Sequence, residues 1–373
     1  MSSWPALRWL LFRFDPERVH RLAHGFLHRV SPAAARRRRP VPPPALRVKV
    51  LGLELDSPIG LAAGFDKGDV SVAGLFGLGF SHVEIGTITP RPQPGNDKPR
   101  IFRLPEHRAL VNRMGFNNEG ADVCATRLAA LPQEARLGPV GVNVGKNKVT
   151  PNEEAVSDYL ACIDRLHPYA DYLVVNISSP NTPGLRQLQE ADALDRLLRA
   201  CVARLAERAP GKPLLVKLAP DLSPEALDEA VDVAIAAGVS GIIATNTTLS
   251  RAGVEGHPRA KEQGGLSGAP LEALATAVVR RCAARAAGRV PVVGAGGVMS
   301  AEDAYAKIRA GASLVQVYTG LIYGGPAFVR RVNEGLAALL ARDGFATVQE
   351  AVGADLRSQG AATGRSPGVS GTL

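Results

Sequence analysis

The sequence predicts an α/β fold, an eight-stranded parallel (β/α)8 or TIM barrel, and three observations support it. Eight short apolar or β-branched runs recur between residues 58 and 318. Amphipathic stretches such as 153–166 and 224–237 separate them. Glycines, amides, hydroxyls or lysines follow each run. A doubly wound open sheet is the alternative topology, and the count of eight favours a closed barrel.

The predicted barrel domain covers residues 46–345 and begins with a small hairpin over 46–55. Residues 97–116 form an insertion too long for a simple βα turn, so we expect extra strands or a lid at the top of the barrel. The eight barrel strands are expected near residues 58–63, 82–86, 139–144, 172–177, 213–218, 240–245, 291–295 and 313–318.

Residues 1–40 predict a helical hairpin with two amphipathic arms. In the first arm, apolar residues from Trp4 to Phe14 recur at helical spacing. Asp15-Pro16-Glu17 predicts the start of the second helix, with Asp15 as its cap. Ser31-Pro32 is predicted to end that helix, and residues 36–44 read as a basic, proline-rich linker.

Two interpretations of this hairpin stay open at the level of the residues. Its apolar stripes either pack on the main domain or lie at a membrane interface with arginines facing lipid phosphates. At the other end of the chain, residues 353–373 are rich in Gly, Ser, Ala and Thr, and we expect disorder there.

Composition narrows the class of protein. The net charge of +9 suits nucleic acid, an anionic membrane or an acidic substrate, and nucleic acid is the weaker reading because nothing resembles a recognised binding module. The four cysteines are far apart, which argues against a zinc site or a disulfide scaffold and fits a reducing cytoplasm. No apolar run approaches the roughly 18 residues that span a bilayer.

The polar residues after the eight runs are expected to meet in one cup, because strand ends of a barrel converge. Gly294 to Gly297 and the Tyr318-Thr319-Gly320 turn expose backbone N–H groups suited to a phosphate. Lys67 and Lys217 imply an anionic ligand, since buried unpaired lysines are costly. Side-chain amides suit a planar ring with alternating C=O and N–H groups, and they belong to Asn112, Asn143, Asn176, Asn181 and Asn246.

The cup lacks the residues that other chemistries need. There is no His/Cys cluster, paired carboxylate or Ser-His-Asp order near it, so we expect no metal and no glycosidase chemistry. A phosphate-bearing cofactor that carries out the difficult step is favoured.

The motifs then identify a family resemblance that covers roughly residues 5–345. The sequence carries, in family order, AAGFDKG, EIGTITPRPQPGNDKPRIFR, NRMGFNN, GVNVGKN, NISSPNTPGLR, VKLAPD, ATNTT, GGLSG and GAGG. In this set it resembles the quinone-dependent (class 2) dihydroorotate dehydrogenases of pyrimidine (UMP) biosynthesis. The resemblance implies one FMN per chain, hydride transfer from C6 of dihydroorotate to flavin N5, and proton removal from C5.

The resemblance also implies roles for single residues. Ser179 matches the catalytic base, where class 1 enzymes carry a cysteine. Lys217 is expected near the pyrimidine end of the flavin. The implied FMN contacts are Ala63, Gly64, Phe65, Asp66, Lys67, Thr87, Asn143, Asn176, Lys217, Thr245, Gly268, Gly297, Tyr318 and Thr319. The implied orotate shell is Lys67, Asn112, Arg113, Met114, Gly115, Phe116, Asn176, Asn181, Asn246 and Thr247.

In class 2 enzymes the N-terminal extension forms an apolar entrance for a membrane quinone, ubiquinone or menaquinone, and His20 and Arg103 match positions lining it. The resemblance implies a monomeric flavoprotein oxidoreductase, peripheral to the cytoplasmic face of the bacterial inner membrane, with anionic lipid and no nucleic acid as partner.

Two alternative functions are a dihydrouridine-synthase-like RNA enzyme and a non-enzymatic membrane scaffold. The RNA enzyme would use a cysteine in the active loop, and the scaffold leaves the polar cup unexplained.

Overall fold

A computed structural model describes residues 4–363, with side chains described as far as residue 358. In chain order the helices are α1 (Trp4–Leu11), α2 (Pro16–His28), α3 (Pro32–Arg38), α4 (Val72–Gly77), α5 (Ala121–Ala129), α6 (Ala155–Leu166), α7 (Ala191–Arg208), α8 (Pro224–Ala236), α9 (Glu272–Ala286), α10 (Ala301–Arg309), α11 (Thr319–Gly324), α12 (Phe328–Arg342), α13 (Val348–Ala351) and α14 (Ala354–Thr363). The strands are β1 (Val48–Val50), β2 (Leu53–Leu55), β3 (Ile59–Leu61), β4 (His82–Ile88), β5 (Ile101–Leu104), β6 (Ala109–Asn112), β7 (Val140–Val144), β8 (Tyr172–Asn176), β9 (Leu214–Leu218), β10 (Gly241–Ala244), β11 (Gly265–Gly268), β12 (Val292–Ala295) and β13 (Ala312–Val317).

Eight parallel strands close into a barrel, which confirms the predicted fold class. Their order around the barrel is β3, β4, β7, β8, β9, β10, β12 and β13, and β13 pairs with β3 to close the ring. Every residue of β4 is buried, as expected for strands covered on both faces by side chains and helices. Each of the eight runs read from the sequence overlaps one barrel strand, and β1 and β2 form the antiparallel hairpin before them.

The insertion at the top of the barrel is a three-stranded antiparallel sheet, β5, β6 and β11. Two of its strands come from the predicted insertion. The third, β11, comes from the loop after β10 and pairs Gly265 with Asn112. Sequence analysis did not predict β11, because four residues with two glycines carry little strand signal. The sheet has a small core of its own that includes Phe102, Val111 and Leu266.

The N-terminal segment contains three helices rather than a two-helix hairpin. Asp15 caps α2 as expected and accepts a hydrogen bond from the Arg18 backbone N–H at 2.9 Å. Helix α2 ends at His28, and Ser31 begins the next helix, since its hydroxyl accepts from the Ala34 N–H. The predicted linker at 36–44 is therefore helical up to Arg38, a correction that follows from a Ser-Pro pair acting as an N-cap with Pro in the first turn.

The three helices contact the barrel to different extents. A side chain at Gly74 of α4 would lie 2.3 Å from the Leu27 carbonyl oxygen, so α2 packs directly on α4. Ala35 of α3 is fully buried. None of the eight residues of α1 is buried. Within residues 4–363, no helix has the length and apolarity to cross a membrane.

The C-terminal segment differs from the expected disorder as far as it is described. Residues Ala354–Thr363 form α14. It is held by an ion pair between Arg309 and Asp355 at 2.7 Å and by the hydrogen bond from the Gly353 N–H to the Ile308 carbonyl at 3.0 Å. Long-range partners of this kind are not visible in composition. Residues 364–373, the rest of the predicted disordered tail, lie outside the described residues.

Candidate active site

A cavity of about 160 Å³ opens at the carboxyl ends of the barrel strands, beneath the β5–β6–β11 sheet. Lys67, Ser179 and Asn246 follow three different strands, Lys217 lies near the end of β9, and all four line the cavity. The predicted residues in its wall are Ala63, Gly64, Lys67, Thr87, Asn112, Met114, Gly115, Phe116, Asn176, Ser179, Asn181, Lys217, Thr245, Asn246, Thr247, Gly268, Gly297, Tyr318 and Thr319. The residues of the predicted polar cup therefore line a single cavity.

A chain of hydrogen bonds joins the amides on one side of the cavity. The Thr87 hydroxyl donates to Asn143 Oδ1 at 2.6 Å. Asn176 Nδ2 donates to Thr87 Oγ1 at 2.8 Å and to Asn143 Oδ1 at 3.0 Å. Asn246 Nδ2 donates to the Ser178 hydroxyl at 3.0 Å, and that hydroxyl donates to Asn176 Oδ1 at 3.2 Å. Each amide therefore has its orientation set by its neighbours.

Ser179 lies in the loop after β8 and is 6% exposed. Its Oγ accepts a hydrogen bond from the Asn181 backbone N–H at 3.2 Å. The Asn181 side chain donates to Asn112 Oδ1 at 3.4 Å, which connects this loop to the inserted sheet. A donor aimed at Oγ stabilises negative charge that develops on that oxygen during proton transfer.

Two lysines supply positive charge to the cavity. Burial, helped by the nearby Arg100, lowers the pKa of Lys67 to about 8, and its Nζ donates to Asn117 Oδ1 at 3.0 Å. Burial also lowers the pKa of Lys217, while the carboxylate of Glu84 acts in the opposite direction. An anion bound beside either ammonium offsets the cost of its burial.

Glycines shape the side of the cavity near β12 and β13. Gly297 has φ of +75°, and a side chain there would lie 2.2 Å from Glu272 Cα. Gly268 has φ of +98° and would place a side chain 2.3 Å from the Arg108 carbonyl oxygen. Only glycine fits both positions, so the backbone itself forms this wall and can approach a bound group closely.

Four residues predicted as ligands lie outside the cavity wall. Asn143 is fully buried behind Thr87. The Asp66 carboxylate accepts backbone N–H groups of its own loop, including that of Ser71 at 2.7 Å. The Arg113 guanidinium pairs with Glu262 at 2.8 Å. Phe65 lines a second cavity instead. For all four, direct ligand contact stays a prediction.

Several wall residues were missed by sequence reasoning. They are Ala62, Ile101, Leu110, Ser267, Leu271, Val298, Gln316 and Val317. Gln316 lies inside β13, before the strand end where the search for polar residues began. Inward-facing polar residues within the strands were the signal that would have found it. Ile101 and Leu110 read as ordinary strand residues, and only the position of the inserted sheet places them over the cavity.

A second cavity of about 720 Å³ lies between the N-terminal helices and the barrel. Its wall is mostly apolar and includes Trp4, Leu7, Leu11, Val19 and Phe26. Ile101, Leu110 and Tyr318 line both cavities, so these three side chains are the partition between them.

His20 and Arg103 both line the second cavity, as predicted from the resemblance. Burial, helped by the charge of Lys67, lowers the pKa of His20 to about 3, so its ring is neutral at physiological pH. Arg103 donates to the Phe14 carbonyl at 2.8 Å and lies 4.5 Å from the centre of the Phe12 ring. It therefore ties the inserted sheet to the segment between α1 and α2.

Known proteins resemble this chain over nearly its whole length. A family profile described as dihydroorotate dehydrogenase matches residues 45–340. A protein of Anaeromyxobacter sp. (strain Fw109-5), named dihydroorotate dehydrogenase (quinone), is 81% identical over 355 residues, which cover 95% of this chain and 98% of the relative. A protein of the same name from Myxococcus xanthus (strain DK1622) is 57% identical over 95% of this chain and 98% of its own.

A solved structure has the same architecture. The crystal structure of DHODH in complex with ferulenol from Eimeria tenella superposes with a TM-score of 0.85 and 39% sequence identity. The alignment covers 93% of this chain and 99% of that one. The N-terminal helices, barrel and inserted sheet therefore fall within one shared fold.

Proposed function

The chain belongs to the dihydroorotate dehydrogenase family, in its quinone-dependent class, and on that premise we propose which of its residues hold the cofactor, the substrate and the quinone. It is an oxidoreductase, and its reaction is the oxidation of dihydroorotate with a quinone as electron acceptor. The predicted recognition and activity are confirmed. The RNA-enzyme and scaffold alternatives are set aside, because relatives at 81% identity carry the dehydrogenase name.

One observation supports the assignment of sites: a polar cavity and an apolar cavity share a partition only three side chains wide, Ile101, Leu110 and Tyr318. A cofactor that receives a hydride from a polar substrate and passes electrons to a lipid-soluble quinone needs access to both environments.

The residues present fit FMN. The glycine wall at Gly268 and Gly297 has no room for side chains, and its backbone N–H groups suit the phosphate. Gln316 Oε1 is buried with no partner in the described structure, which suits a ring N–H donor. Lys217 stabilises negative charge on the reduced ring. When bound, FMN supplies the hydride acceptor and the route by which electrons reach the quinone.

The substrate shell is proposed at Lys67, residues 112–116, Asn181, Asn246 and Thr247. The Lys67 ammonium binds the carboxylate of dihydroorotate, and the amides bind the ring carbonyls and N–H groups. Ser179 Oγ takes the proton from C5 while its own hydroxyl proton leaves to water, and the Asn181 N–H stabilises the partial negative charge that develops on Oγ as that proton leaves.

The quinone site is proposed in the second cavity, with the ring near His20 and Arg103 and the tail leaving between α1 and α2. Large apolar side chains on α1 and α2 are exposed, and we assign them to the rim of this exit: Leu7 at 46%, Trp9 at 62%, Leu22 at 72% and Phe26 at 65%. Leu7 and Phe26 also line the cavity. We propose that this rim lies in the cytoplasmic surface of the bacterial inner membrane, with Arg36–Arg38 facing anionic lipid. Ubiquinone or menaquinone would enter from the bilayer.

The test is spectroscopic. The purified protein is expected to be yellow with one FMN per chain, to bleach on anaerobic addition of dihydroorotate, and to regain colour with a ubiquinone or menaquinone analogue. Neither NAD nor fumarate is expected to restore the colour. A colourless protein that takes up no added FMN, or one reoxidised by fumarate, would contradict the assignment.

A further inference from the structure

Glu84 is a buried carboxylate that the proposed mechanism does not use. It lies in the middle of β4 with none of its surface exposed, on the side of the amide chain away from the cavity. Three donors meet its two oxygens. Asn143 Nδ2 donates to Oε1 at 2.9 Å, and Gln316 Nε2 donates to Oε2 at 2.6 Å. The Tyr172 hydroxyl lies 3.5 Å from Oε2.

A carboxylate without a proton accepts hydrogen bonds and cannot donate them, whereas a side-chain amide offers both an oxygen and an NH2 group. The NH2 group of Asn143 must therefore face Glu84, and its oxygen must face the other way. That oxygen is the acceptor for the Thr87 hydroxyl and for Asn176 Nδ2. The direction of the first amide in the chain follows from Glu84 alone.

The same direction passes along the chain to the cavity. Because Asn176 uses its NH2 group on Thr87 and Asn143, its oxygen is left to accept from Ser178. Ser178 then accepts from Asn246 Nδ2, and Asn246 Oδ1 is left facing the Thr247 N–H at 2.8 Å. Asn176, Asn246 and Thr247 all line the cavity, so this order decides which of their atoms a ligand meets.

Glu84 fixes the orientation of the Gln316 side-chain amide in the same way. Its NH2 group is drawn to Oε2, so its oxygen is the atom left buried without a partner in the described structure. The Gln316 side chain lines the cavity. One carboxylate therefore orients amides on two other barrel strands, β7 and β13.

We propose that Glu84 is a positioning residue that sets the donor and acceptor pattern of the cup toward the flavin and the orotate ring. This inference rests on the proposed FMN site. It concerns the direction of the hydrogen bonds and not only their number, because an amide chain without a fixed end has two nearly equivalent directions. Only one of these two hydrogen-bond directions leaves the side-chain oxygens of Gln316 and Asn246 in the positions that the structure shows.

The decisive experiment exchanges donor and acceptor. In Glu84→Gln one acceptor is lost, so the new NH2 group faces the NH2 group of either Asn143 or Gln316. If Asn143 turns, its bonds to Thr87 and Asn176 break; if Gln316 turns, its oxygen no longer has its present direction. In Asn143→Asp two carboxylates face each other. In the double variant, Gln at 84 donates to Asp at 143, whose second oxygen accepts from Thr87 and Asn176 as Asn143 does now. The net charge of the pair is also unchanged.

The readout is the FMN dissociation constant, measured by quenching of free FMN fluorescence as apoprotein is added. Each single variant is expected to raise it roughly ten- to hundredfold, the scale for a hydrogen bond to a charged group. The double variant is expected to return to within about fivefold of wild type, since the two substitutions are coupled. The orotate dissociation constant, read from the flavin absorbance shift, is expected to follow the same order.

Tyr172→Phe is the matched control, because it removes a hydroxyl that also faces Glu84 but at a length too great to orient an amide. It is expected to stay within about twofold of wild type. The proposal would be overturned if the losses of FMN affinity in the two single variants simply add in the double variant. It would also be overturned if the Glu84→Gln protein binds FMN like wild type. If Glu84→Gln does not fold, the double variant must still fold and bind; its failure also overturns the proposal. Wild-type protein that binds no FMN would instead refute the cofactor assignment.

Discussion

In the proposed mechanism, proton transfer depends on the hydroxyl group of Ser179. It is nearly buried, lines the polar cavity, and accepts the Asn181 N–H. A serine hydroxyl is a weak base, so its contribution comes from position and from the stabilised oxygen. The loop that holds it is joined to the inserted sheet through Asn181 and Asn112.

Replacing Ser179 with Ala is expected to slow flavin reduction by dihydroorotate roughly 10²- to 10⁴-fold, the range for loss of a positioned base. FMN content and the orotate dissociation constant are expected to stay near wild type, because the hydrogen bond that the Ser179 hydroxyl makes to the described residues is the one from the Asn181 N–H. Anaerobic stopped-flow absorbance at neutral pH measures the rate. Reduction at the wild-type rate would show that another group takes the proton.

The pKa of Lys67 leads to a prediction about how orotate affinity depends on pH. Burial lowers its pKa to about 8, so its charge is present below that pH and is lost as the pH rises through it. Because the ammonium is proposed to bind the substrate carboxylate, orotate affinity is expected to fall about tenfold per pH unit above pH 8. Bound orotate raises this pKa, so the loss appears in kcat/KM at lower pH than in kcat.

Titrations of orotate into the holoenzyme between pH 6.5 and 10 measure this effect. Lys67→Met, which cannot titrate, is the control and is expected to bind weakly with no step near pH 8. Wild-type affinity that stays level up to pH 9.5 would contradict the role of Lys67.

Helices α1 and α2 both line the apolar cavity, but they differ in how far they are buried in the fold. Helix α2 buries His24 and Leu27, and the His24 ring contacts the Ser71 hydroxyl at 3.0 Å. Helix α1 buries nothing and is held at its edge, where the Trp4 indole N–H donates to the Tyr323 carbonyl at 2.9 Å. The fold therefore needs α2, while α1 serves mainly as a wall of the cavity.

Deletion of residues 1–11, which removes α1, is expected to leave FMN binding and dihydroorotate-dependent flavin reduction unchanged. The KM for a long-tailed quinone is expected to rise roughly tenfold or more, because Trp4, Leu7 and Leu11 no longer cover the tail. Steady-state assays with a quinone analogue and with ferricyanide separate the two half-reactions. Equal quinone kinetics in the deletion would refute the entrance.

At the scale of the whole molecule, exposed apolar side chains are unevenly placed. Six large ones lie between residues 7 and 26, namely Leu7, Trp9, Leu10, Phe14, Leu22 and Phe26. Five of them lie on α1 or α2, Phe14 lies between these helices, and Leu7 and Phe26 also line the apolar cavity. The basic run Arg36–Arg38 follows on α3. A concentration of exposed apolar side chains with basic neighbours is typical of a surface that rests on an anionic membrane.

The double substitution Leu22→Glu and Phe26→Glu is expected to lower partitioning onto vesicles of mixed zwitterionic and anionic lipid roughly tenfold or more. The matched control is Val149→Glu with Leu249→Glu, which adds the same charge at residues that are 80% and 52% exposed outside the N-terminal helices. Vesicle sedimentation measures both. Equal losses in the two proteins would show that net charge, rather than this face, governs binding.

The sequence by itself determined the barrel, because alternating apolar runs and amphipathic stretches are local signals, and each predicted run overlaps one strand. It also placed Lys67, Ser179 and Asn246 after three strands and Lys217 at the end of a fourth, and the geometry of parallel strands brings such residues to one mouth. The role of Ser31 as the cap of α3 was missed because the Ser-Pro pair was read only as a helix stop.

Only the tertiary structure decided which residues close the cup and in which direction its amides point. Glu84 and Gln316 are 232 positions apart and meet at 2.6 Å. Likewise, the partition formed by Ile101, Leu110 and Tyr318 exists because an inserted sheet folds over the barrel. Periodicity and turn chemistry act over a few residues, whereas hydrogen bonds and packing across a closed barrel depend on the path of the whole chain.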